Sequence, residues 1–335
     1  MIKRIMLLVI LSAFVSTFAE VPEAFLTEPP ESSITSCTDQ PILIQVQCDA
    51  GIIEDSIYLN IDGIIYTIDS SVIIFEPVSN IIEFNPSGMA VFEDGVVTVN
   101  LLPLYDVYDT AGTSYTWYFF VDGTPPALSN PVPALGSVVT DLAFDISFVL
   151  SDEGTVPEAI AGLDTPSVQV EVTNSEGTYN VTAYLSHTGN LFSVNTDDAG
   201  LSFIDNEQVT IRVRAGDMFA ADEFCGPNIL DTLWAFTIGE TPCTRGPNPI
   251  TPNGDAYNDS TSFQFPNMRS KNIEQKIFIY DRYEHLVREV TAFGEHGWIW
   301  DGKDKNGETV TQGVYIYLVV VDNEPVCNGT ISVAR

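Results

Sequence analysis

The sequence contains few basic residues, and they are unevenly placed. Only 13 of its 335 residues are Lys or Arg, against 46 Asp or Glu, which gives a formal net charge of −33. No Lys or Arg occurs between Arg4 and Arg212. Nucleic acids and anionic lipids are bound through clustered cations, so the composition excludes both as natural partners. Hydrophobic residues still make up 45% of the chain, which excludes intrinsic disorder.

The scarcity of basic residues divides the chain into two electrostatic regimes. Residues 20–240 carry 2 basic and 34 acidic side chains, whereas residues 241–335 carry 9 basic and 12 acidic ones. The border near residue 240 therefore separates a strongly acidic region from one that is close to neutral. A shift in composition of this kind indicates a domain boundary.

The sequence also lacks a hydrophobic run long enough to span a bilayer, which takes about 20 residues. Its longest apolar run, Ile5–Val15, follows Lys3 and Arg4 and precedes the small residues Thr17 and Ala19. This order is typical of a cleavable signal peptide, here residues 1–19. We expect an exported mature chain that begins near Glu20 and has no transmembrane anchor.

Cysteine is sparse as well. The five cysteines are Cys37, Cys48, Cys225, Cys243 and Cys327, and no two have C-x-x-C spacing. The absence of that spacing disfavours a zinc or thioredoxin-like site, and the odd number of cysteines leaves at least one thiol without a partner in the same chain. The sequence does not reveal the connectivity. A Cys37–Cys48 bridge would require the chain to double back, because the predicted strand between them is too long for a disulfide to span directly.

Alternation of apolar and polar residues runs through the chain. Ile57, Leu59 and Ile61 alternate with polar residues, as do Val209, Ile211 and Val213, and turn residues punctuate such runs at short intervals. We find no convincing helical stripe after the predicted signal peptide. Many short, half-buried strands favour an all-β fold of tandem immunoglobulin-like β-sandwiches in three domains.

An internal repeat supports the domain count. Trp117 precedes Thr124-Pro125 by seven residues, and Trp234 precedes Thr241-Pro242 by the same distance. We therefore predict one sandwich over residues 20–125, a second over 126–240 and a C-terminal domain over 241–335, with proline-containing linkers between them. A Trp that alternates with Phe on a last strand is typical of a core residue, so we assign the repeated Trp to the cores rather than to a binding site.

The C-terminal segment carries a recognisable order of motifs. It reads NPITPNGDAYND from Asn248, then IFIYDRYEHLVREV, then WIWDGKDKNGETVTQGVYIYLVVVD, and it ends in GTISVAR. Over residues 243–335 it resembles the gliding-motility-associated (type B) C-terminal sorting domain of type IX secretion. It is also similar to the immunoglobulin-like domain of flagellar hook-capping proteins. It departs from the family pattern at one turn, where Glu284 replaces the usual glycine after Tyr283.

This resemblance implies a small sandwich of about seven strands that serves as an export and attachment signal. The implied partner is the outer-membrane secretion machinery, and the implied destination is the cell surface or the extracellular medium. Arg335 belongs to the recognised surface in this interpretation, or is simply an exposed last residue. The sorting-motif positions are Asn248, Pro252, Asn253, Gly254, Asp255, Asn258, Asp259, Trp300, Asp301, Gly302, Gly313, Tyr315 and Arg335.

The NPITPNGDAYND segment has a second interpretation as a calcium loop. Asn253, Asp255 and Asp259, with the Tyr257 carbonyl, lie at alternate positions, and calcium loops draw oxygen ligands from alternate residues. Such loops also use an Asp at the first position and a Gly at the sharp turn, where this chain has Thr251 and Ala256. The alternative is a turn-rich loop whose Asn and Asp side chains bond to its own backbone.

The acidic repeats allow a related hypothesis. Their carboxylates could gather near the interdomain joints, where divalent ions would relieve repulsion; alternatively, the acidity only keeps the surface soluble. The residues concerned are Asp106, Asp109 and Asp122 in the first repeat, and Asp217, Asp222 and Glu223 in the second.

The sequence contains no motif of a known enzyme class. We find no H-E-x-x-H pair, no G-x-S-x-G elbow and no phosphate-binding glycine loop, so we expect a non-enzymatic protein with no cofactor other than the calcium considered above. The preferred function is structural or adhesive, with surface proteins or glycans as partners. A glycan-binding module, based on Tyr58, Tyr105 and Tyr108, is the alternative, and a secreted hydrolase is a weaker one.

Overall fold

A computed structural model describes residues 21–86, 91–141, 143–154, 156–219, 225–290 and 298–334. The predicted signal peptide, with Asp222, Glu223 and Arg335, lies outside the described residues. The chain divides into two compact units: unit 1 comprises Met1–Pro125, Asp152–Gly162 and Asp217–Asn228, and unit 2 comprises Pro126–Ser151, Leu163–Gly216 and Ile229–Arg335. In the described ranges, no helix has the length and apolar character needed to cross a membrane.

The first sandwich lies in unit 1 and buries alternate residues of its strands. Its sheets have the orders β1-β3-β7-β6 and β2-β9-β8-β4-β5, and one 3-10 turn spans Glu54–Ser56. Between them lies a core of aliphatic and aromatic side chains, including Ile44, Leu59 and Phe119, all fully buried. The strands are β1 (Glu23–Glu28), β2 (Ile34–Thr35), β3 (Ile42–Gln47), β4 (Tyr58–Ile61), β5 (Ile64–Thr67), β6 (Ile73–Glu76), β7 (Ile81–Phe84), β8 (Gly95–Leu101) and β9 (Tyr115–Val121).

The second sandwich repeats this plan in unit 2. Its sheets have the orders β10-β12-β16-β15 and β11-β18-β17-β13-β14. As β2 does with β9, the short strand β11 pairs in parallel with the last strand, β18. The strands are β10 (Ala127–Val132), β11 (Val138–Val139), β12 (Asp145–Ser151), β13 (Leu163–Asn174), β14 (Gly177–Asn180), β15 (Ser186–Thr188), β16 (Leu191–Asn195), β17 (Gln208–Asp217) and β18 (Ile229–Ile238), with 3-10 turns at Pro157–Ala159 and Thr182–Tyr184.

The third sandwich, also in unit 2, has seven strands. A three-stranded sheet of order β19-β20-β23 packs against a four-stranded sheet of order β22-β21-β24-β25, around a third core. The longest pairing joins β24 and β25 through a turn in which Asp322 and Asn323 both have positive φ, as tight hairpin turns require. The strands are β19 (Thr244–Gly246), β20 (Thr261–Gln264), β21 (Gln275–Tyr280), β22 (Leu286–Val290), β23 (Trp298–Trp300), β24 (Gly313–Val321) and β25 (Glu324–Val333).

The repeated Trp residues belong to the cores, which confirms the prediction. Trp234 is 4% exposed, and its indole N–H donates to the Pro133 carbonyl at 2.9 Å, so its one polar group is satisfied. Trp117 occupies the corresponding place in the first sandwich and stacks on Tyr115.

Four of the five cysteines form disulfides. Cys37 pairs with Cys225 within unit 1, and Cys243 pairs with Cys327 within unit 2. Cys48 is a buried free thiol. The second bridge joins the segment that enters the third sandwich to its last strand, so it closes that domain on itself.

Candidate functional site

The two ends of the C-terminal motif lie side by side in the third sandwich. The Asn248 side-chain carbonyl accepts the Ser332 N–H at 2.8 Å, and Ile250 pairs in parallel with Val333 in the last strand. The Ile250 carbonyl also accepts the Ala334 N–H at 2.9 Å. The start of the motif therefore holds the C-terminal strand in place. Arg335, the last predicted recognition residue, lies outside the described residues.

The aromatic positions of the motif form the core of this domain rather than a surface. Trp300 is 1% exposed and donates its indole N–H to the Lys303 carbonyl at 2.9 Å. Its ring meets the Tyr315 ring edge-on at 5.4 Å, and the Tyr315 hydroxyl donates to the Thr311 carbonyl. These two motif residues therefore stabilise the fold from inside the third core.

Glycines of the motif lie where space or conformation requires them. A Cβ on Gly302 would lie 2.9 Å from Pro252, and Gly302 also has a φ of +70°. A larger residue at position 302 would displace Pro252 and strain the turn. Gly313 opens β24 opposite Val333, so it is part of the strand that pairs with the C-terminus. Asp301, beside Gly302, pairs with the exposed Lys303 ammonium.

The loop between Thr251 and Asp259 is organised around one carboxylate. Oδ1 of Asp259 accepts the N–H groups of Asn253 and Gly254 at 2.9 and 2.8 Å, and Oδ2 accepts that of Ala256 at 2.8 Å. These backbone bonds, above all that from Gly254, lower the pKa of Asp259, because they stabilise its ionised form.

Other side chains in this loop also bond within it. Oδ1 of Asp255 accepts the Tyr257 N–H, and its Oδ2 accepts the Asn253 amide. The Asn258 carbonyl accepts the Thr251 N–H, and Asn258 has a φ of +55°. The alternative of a loop bonded to its own backbone describes these contacts, while calcium binding by Asn253, Asp255 and Asp259 stays a prediction.

A carboxylate also holds the hairpin at the departure from the family pattern. Oδ1 of Asp281 accepts the N–H groups of Tyr283 and His285, and its Oδ2 lies 3.1 Å from the His285 ring nitrogen. The backbone bond from His285 is the main cause of a lowered Asp281 pKa. Glu284 completes the turn with a φ of +66°.

Sequence reasoning missed Arg269, which is 9% exposed in the loop after β20. Its guanidinium donates to the Thr140 carbonyl (3.2 Å), the Thr241 hydroxyl (3.3 Å) and, at longer range, the carbonyls of Val139 and Gly239. Burial lowers its pKa, and the charges of nearby acids partly offset that effect. The one signal in the sequence that could have pointed to Arg269 is that basic residues are rare in this chain.

Three carboxylates gather within unit 1. Asp122 and Asp217 are 3% and 1% exposed, and Asp152 lies close enough to feel both charges. Burial, followed by the charge of Asp122, raises the pKa of Asp152, and burial also raises that of Asp217. The sequence singled out Asp122 and Asp217 but missed Asp152, which belongs to a different loop.

Backbone and amide donors hold this group of acids. Asp152 accepts the Gly162 N–H, and Asp122 accepts the Ala161 N–H. Asp217 accepts the backbone N–H and the side-chain amide of Asn228. One oxygen of Asp152 is fully buried without a partner. Among the described residues, the one group of three His, Cys or carboxylate side chains within reach of a common metal is Cys37, Asp39 and Cys225, and its two cysteines are joined in a disulfide.

The tyrosines that suggested glycan binding are all exposed on unit 1. Tyr58 and Tyr105 are 43% and 39% exposed and line one shallow cavity, whereas Tyr108 is 78% exposed beside it. Asp106, from the acidic repeat, is fully buried and caps the turn that carries Tyr108.

Comparison with known families identifies the C-terminal domain. Residues 244–333 match the family described as the CHU_C Type IX secretion signal domain. Over these residues the third sandwich is similar to type IX secretion signal domains. The predicted resemblance is thereby confirmed for the signal domain, which indicates export to the cell surface or the extracellular space. The two sandwiches before residue 244 lie outside this match.

Comparisons over the whole chain are distant. Latent dimeric PorU from Porphyromonas gingivalis is 15% identical over 94% of this chain, with a TM-score of 0.23, and this chain spans 34% of PorU. A tetra-tandem repeat from the extending region of a large adhesion protein is 14% identical (91% of this chain, 72% of that one, TM-score 0.35). A Ca²⁺-stabilised ice-binding adhesin of an Antarctic bacterium is 13% identical (95% and 74%, TM-score 0.31). At these TM-scores the likenesses carry no functional argument, and no curated protein matches the chain.

Proposed function

We propose that this protein is exported by the type IX route and serves as a structural or adhesive module at the cell surface. The observation that carries the proposal is the signal domain at residues 244–333, whose N-terminal motif and C-terminal strand form one folded unit. Two acidic sandwiches precede it, and each has a core of its own.

A non-enzymatic role fits the arrangement of reactive groups. Two of the three gathered carboxylates in unit 1 are buried, so they offer no access to a substrate. His187 lies exposed and stacks on Phe192, and His285 is exposed beside Asp281. Neither described histidine has a hydroxyl or thiol nucleophile among its hydrogen-bond partners, so they support no hydrolase mechanism.

The export proposal is tested by moving the signal domain. Removal of residues 243–335 is expected to leave the truncated protein in the periplasm of a cell with a type IX system. Fusion of residues 243–335 to a periplasmic reporter is expected to carry the reporter to the surface or the medium. Fractionation followed by immunoblotting measures both.

A matched pair of variants separates recognition from folding. Trp300→Ala removes a core side chain and should abolish export through unfolding, whereas Tyr257→Ala, at a side chain 76% exposed, should leave the fold intact. Normal export of the chain without its signal domain would contradict the proposal. A reporter that stays in the periplasm although its fused domain resists protease would contradict it as well.

A further inference from the structure

A shallow cavity of about 290 Å³ opens on the first sandwich between two tyrosines. We call it the Tyr58–Tyr105 pocket. Its lining consists of Ile53, Asp55, Ser56, Tyr58, Tyr105 and Asp109. It therefore combines two aromatic side chains with two carboxylates, and every lining residue belongs to unit 1.

Two hydrogen bonds join the two walls of this pocket, and a third lies within one wall. The Ile53 N–H donates to the Tyr105 carbonyl at 2.9 Å, and the Tyr105 N–H donates to the Ser56 hydroxyl at 3.0 Å. That hydroxyl in turn donates to the Ile53 carbonyl at 2.6 Å. The first two bonds fix the turn before β4 against the segment after β8, and the third stabilises the turn itself. The pocket is therefore preformed, and binding requires little ordering of the protein.

A buried acidic side chain, Asp106, holds the turn that brings Asp109 to the pocket. Oδ1 of Asp106 accepts the N–H groups of Tyr108 and Thr110 at 2.9 and 2.7 Å, and the Asp106 carbonyl accepts the Asp109 N–H. Asp106 is fully buried, and its Oδ2 has no hydrogen-bond partner in the described structure. The turn that presents Asp109 is thus held by the side chain of Asp106.

The described residues of unit 1 include no Lys or Arg that could neutralise the carboxylates of Asp55 and Asp109. After Arg4 the segments of unit 1 contain no Lys or Arg, because the next basic residue, Arg212, belongs to unit 2. The carboxylates of the pocket therefore have no basic partner among the described residues of their own unit. Aromatic faces attract cations as well, and the attraction strengthens where a carboxylate lies alongside.

We propose that the Tyr58–Tyr105 pocket binds a lysine or arginine side chain of a partner protein. The alkyl part of such a side chain packs on the tyrosine rings, while its ammonium or guanidinium meets Asp55 and Asp109. Anionic ligands, including uronic acid sugars and phosphates, are repelled by the same carboxylates. This inference goes beyond the export proposal and does not depend on it.

The test uses the mature chain and a labelled peptide in which lysines alternate with glycine and serine, with a glutamine-for-lysine peptide as the uncharged probe. Fluorescence anisotropy measures the Kd of each. We expect the chain to bind the lysine peptide and not the glutamine peptide. The affinity for the lysine peptide should fall when the salt concentration rises from about 0.05 M to about 0.3 M. Neutral oligosaccharides are titrated in parallel, as the competing ligand class.

Matched variants separate pocket binding from general attraction to an acidic protein. Tyr58→Leu with Tyr105→Leu keeps the charge but removes the rings, and Asp55→Asn with Asp109→Asn removes the charge but keeps the rings. Each pair should weaken lysine-peptide binding about fivefold or more. The control, Asp197→Asn with Asp198→Asn, removes two exposed acids of the second sandwich and should change the Kd less than about 1.5-fold.

Two results would overturn the proposal. If the control pair weakens binding as much as the pocket pairs, the attraction belongs to the net charge and not to the pocket. If a neutral oligosaccharide binds and the tyrosine pair abolishes it while the lysine peptide is unaffected, the pocket is a sugar site. Circular dichroism and melting temperatures of all variants confirm that these exposed substitutions leave the fold intact.

Discussion

Glu284 shows how a single residue departs from the pattern of its family while the local structure persists. Its φ of +66° places a side chain with a Cβ in the left-handed region, where glycine is the usual residue. The turn forms nonetheless, because Asp281 bonds to the N–H groups of Tyr283 and His285. The carboxylate therefore offsets backbone strain that a glycine would avoid.

We predict that Glu284→Gly raises the free energy of unfolding of the signal domain by about 0.5–1 kcal/mol. The left-handed conformation costs a non-glycine residue about 1–2 kcal/mol, and the extra backbone entropy of glycine returns part of that. Thermal melting of the mature chain measures the change. Glu289→Gly, inside β22, is the matched control and should lower stability instead. A loss of stability in Glu284→Gly would show that the Glu284 side chain makes a stabilising contact.

At the scale of elements, the loop after β20 connects parts of unit 2 that are distant in sequence. Arg269 in this loop reaches β11 through Val139, and it reaches the linker after β18 through Gly239 and Thr241. Gly239 itself leaves no room for a side chain, since a Cβ there would lie 2.9 Å from Thr140. The linker that leads into the signal domain is thus held along its length rather than free.

We predict that Arg269→Ala destabilises unit 2 by about 1–3 kcal/mol, because it leaves several carbonyls and a hydroxyl without their shared donor. The linker, residues 239–243, should also become more sensitive to protease. Lys271→Ala is the matched control: Lys271 is an exposed cation of the same loop, and its loss should change little. Equal protease sensitivity in both variants would contradict a special role for Arg269.

For the whole molecule, the uneven charge is the dominant feature. The described ion pairs all involve residues of unit 2, where the basic side chains after Arg4 lie. The described residues of unit 1 include no Lys or Arg, and backbone and amide donors hold Asp122, Asp152 and Asp217 in the place that cations would otherwise take. Repulsion among the three remains.

Burial, together with this repulsion, gives the stability of unit 1 a definite pH dependence. The pKa values of Asp152 and Asp217 are raised above their ordinary value of 3.8. At pH values between 3.8 and the native pKa values, the native state therefore binds more protons than the unfolded state. Their contribution to stability is present below that interval and is lost as pH rises through the native pKa values. We therefore expect unit 1 to become more stable as the pH falls from 7 towards 4.5.

Asp152→Asn tests this dependence, because it keeps an acceptor for the Gly162 N–H and removes one charge. It should raise the melting temperature at pH 7 by at most about 4 °C, and this gain should shrink near pH 4. Asp197→Asn, an exposed acid elsewhere, serves as control. If calcium stabilises the native chain but not Asp152→Asn, a divalent ion rather than a proton offsets the charges. A melting temperature that falls at pH 7 would contradict the repulsion.

Periodicity and composition were sufficient to predict the fold class of this protein and its last domain. The alternation of apolar residues, the repeated Trp-to-Thr-Pro spacing and the motif order after Asn248 predicted an all-β tandem and the nature of its last domain. These features are local, because the side-chain period of a strand and the conformations of a turn depend on neighbouring residues. The charge border near residue 240 needed only counting.

The tertiary structure alone decided which distant residues meet. It paired Cys37 with Cys225 across 188 residues, placed Asp152 beside Asp122 and Asp217, and set Tyr58 and Tyr105 around one pocket. It also buried Arg269, which the sequence marks only as one of its few basic residues. Contacts of this kind depend on how sheets pack and loops return, and that information is spread over the whole chain rather than held in any one segment of it.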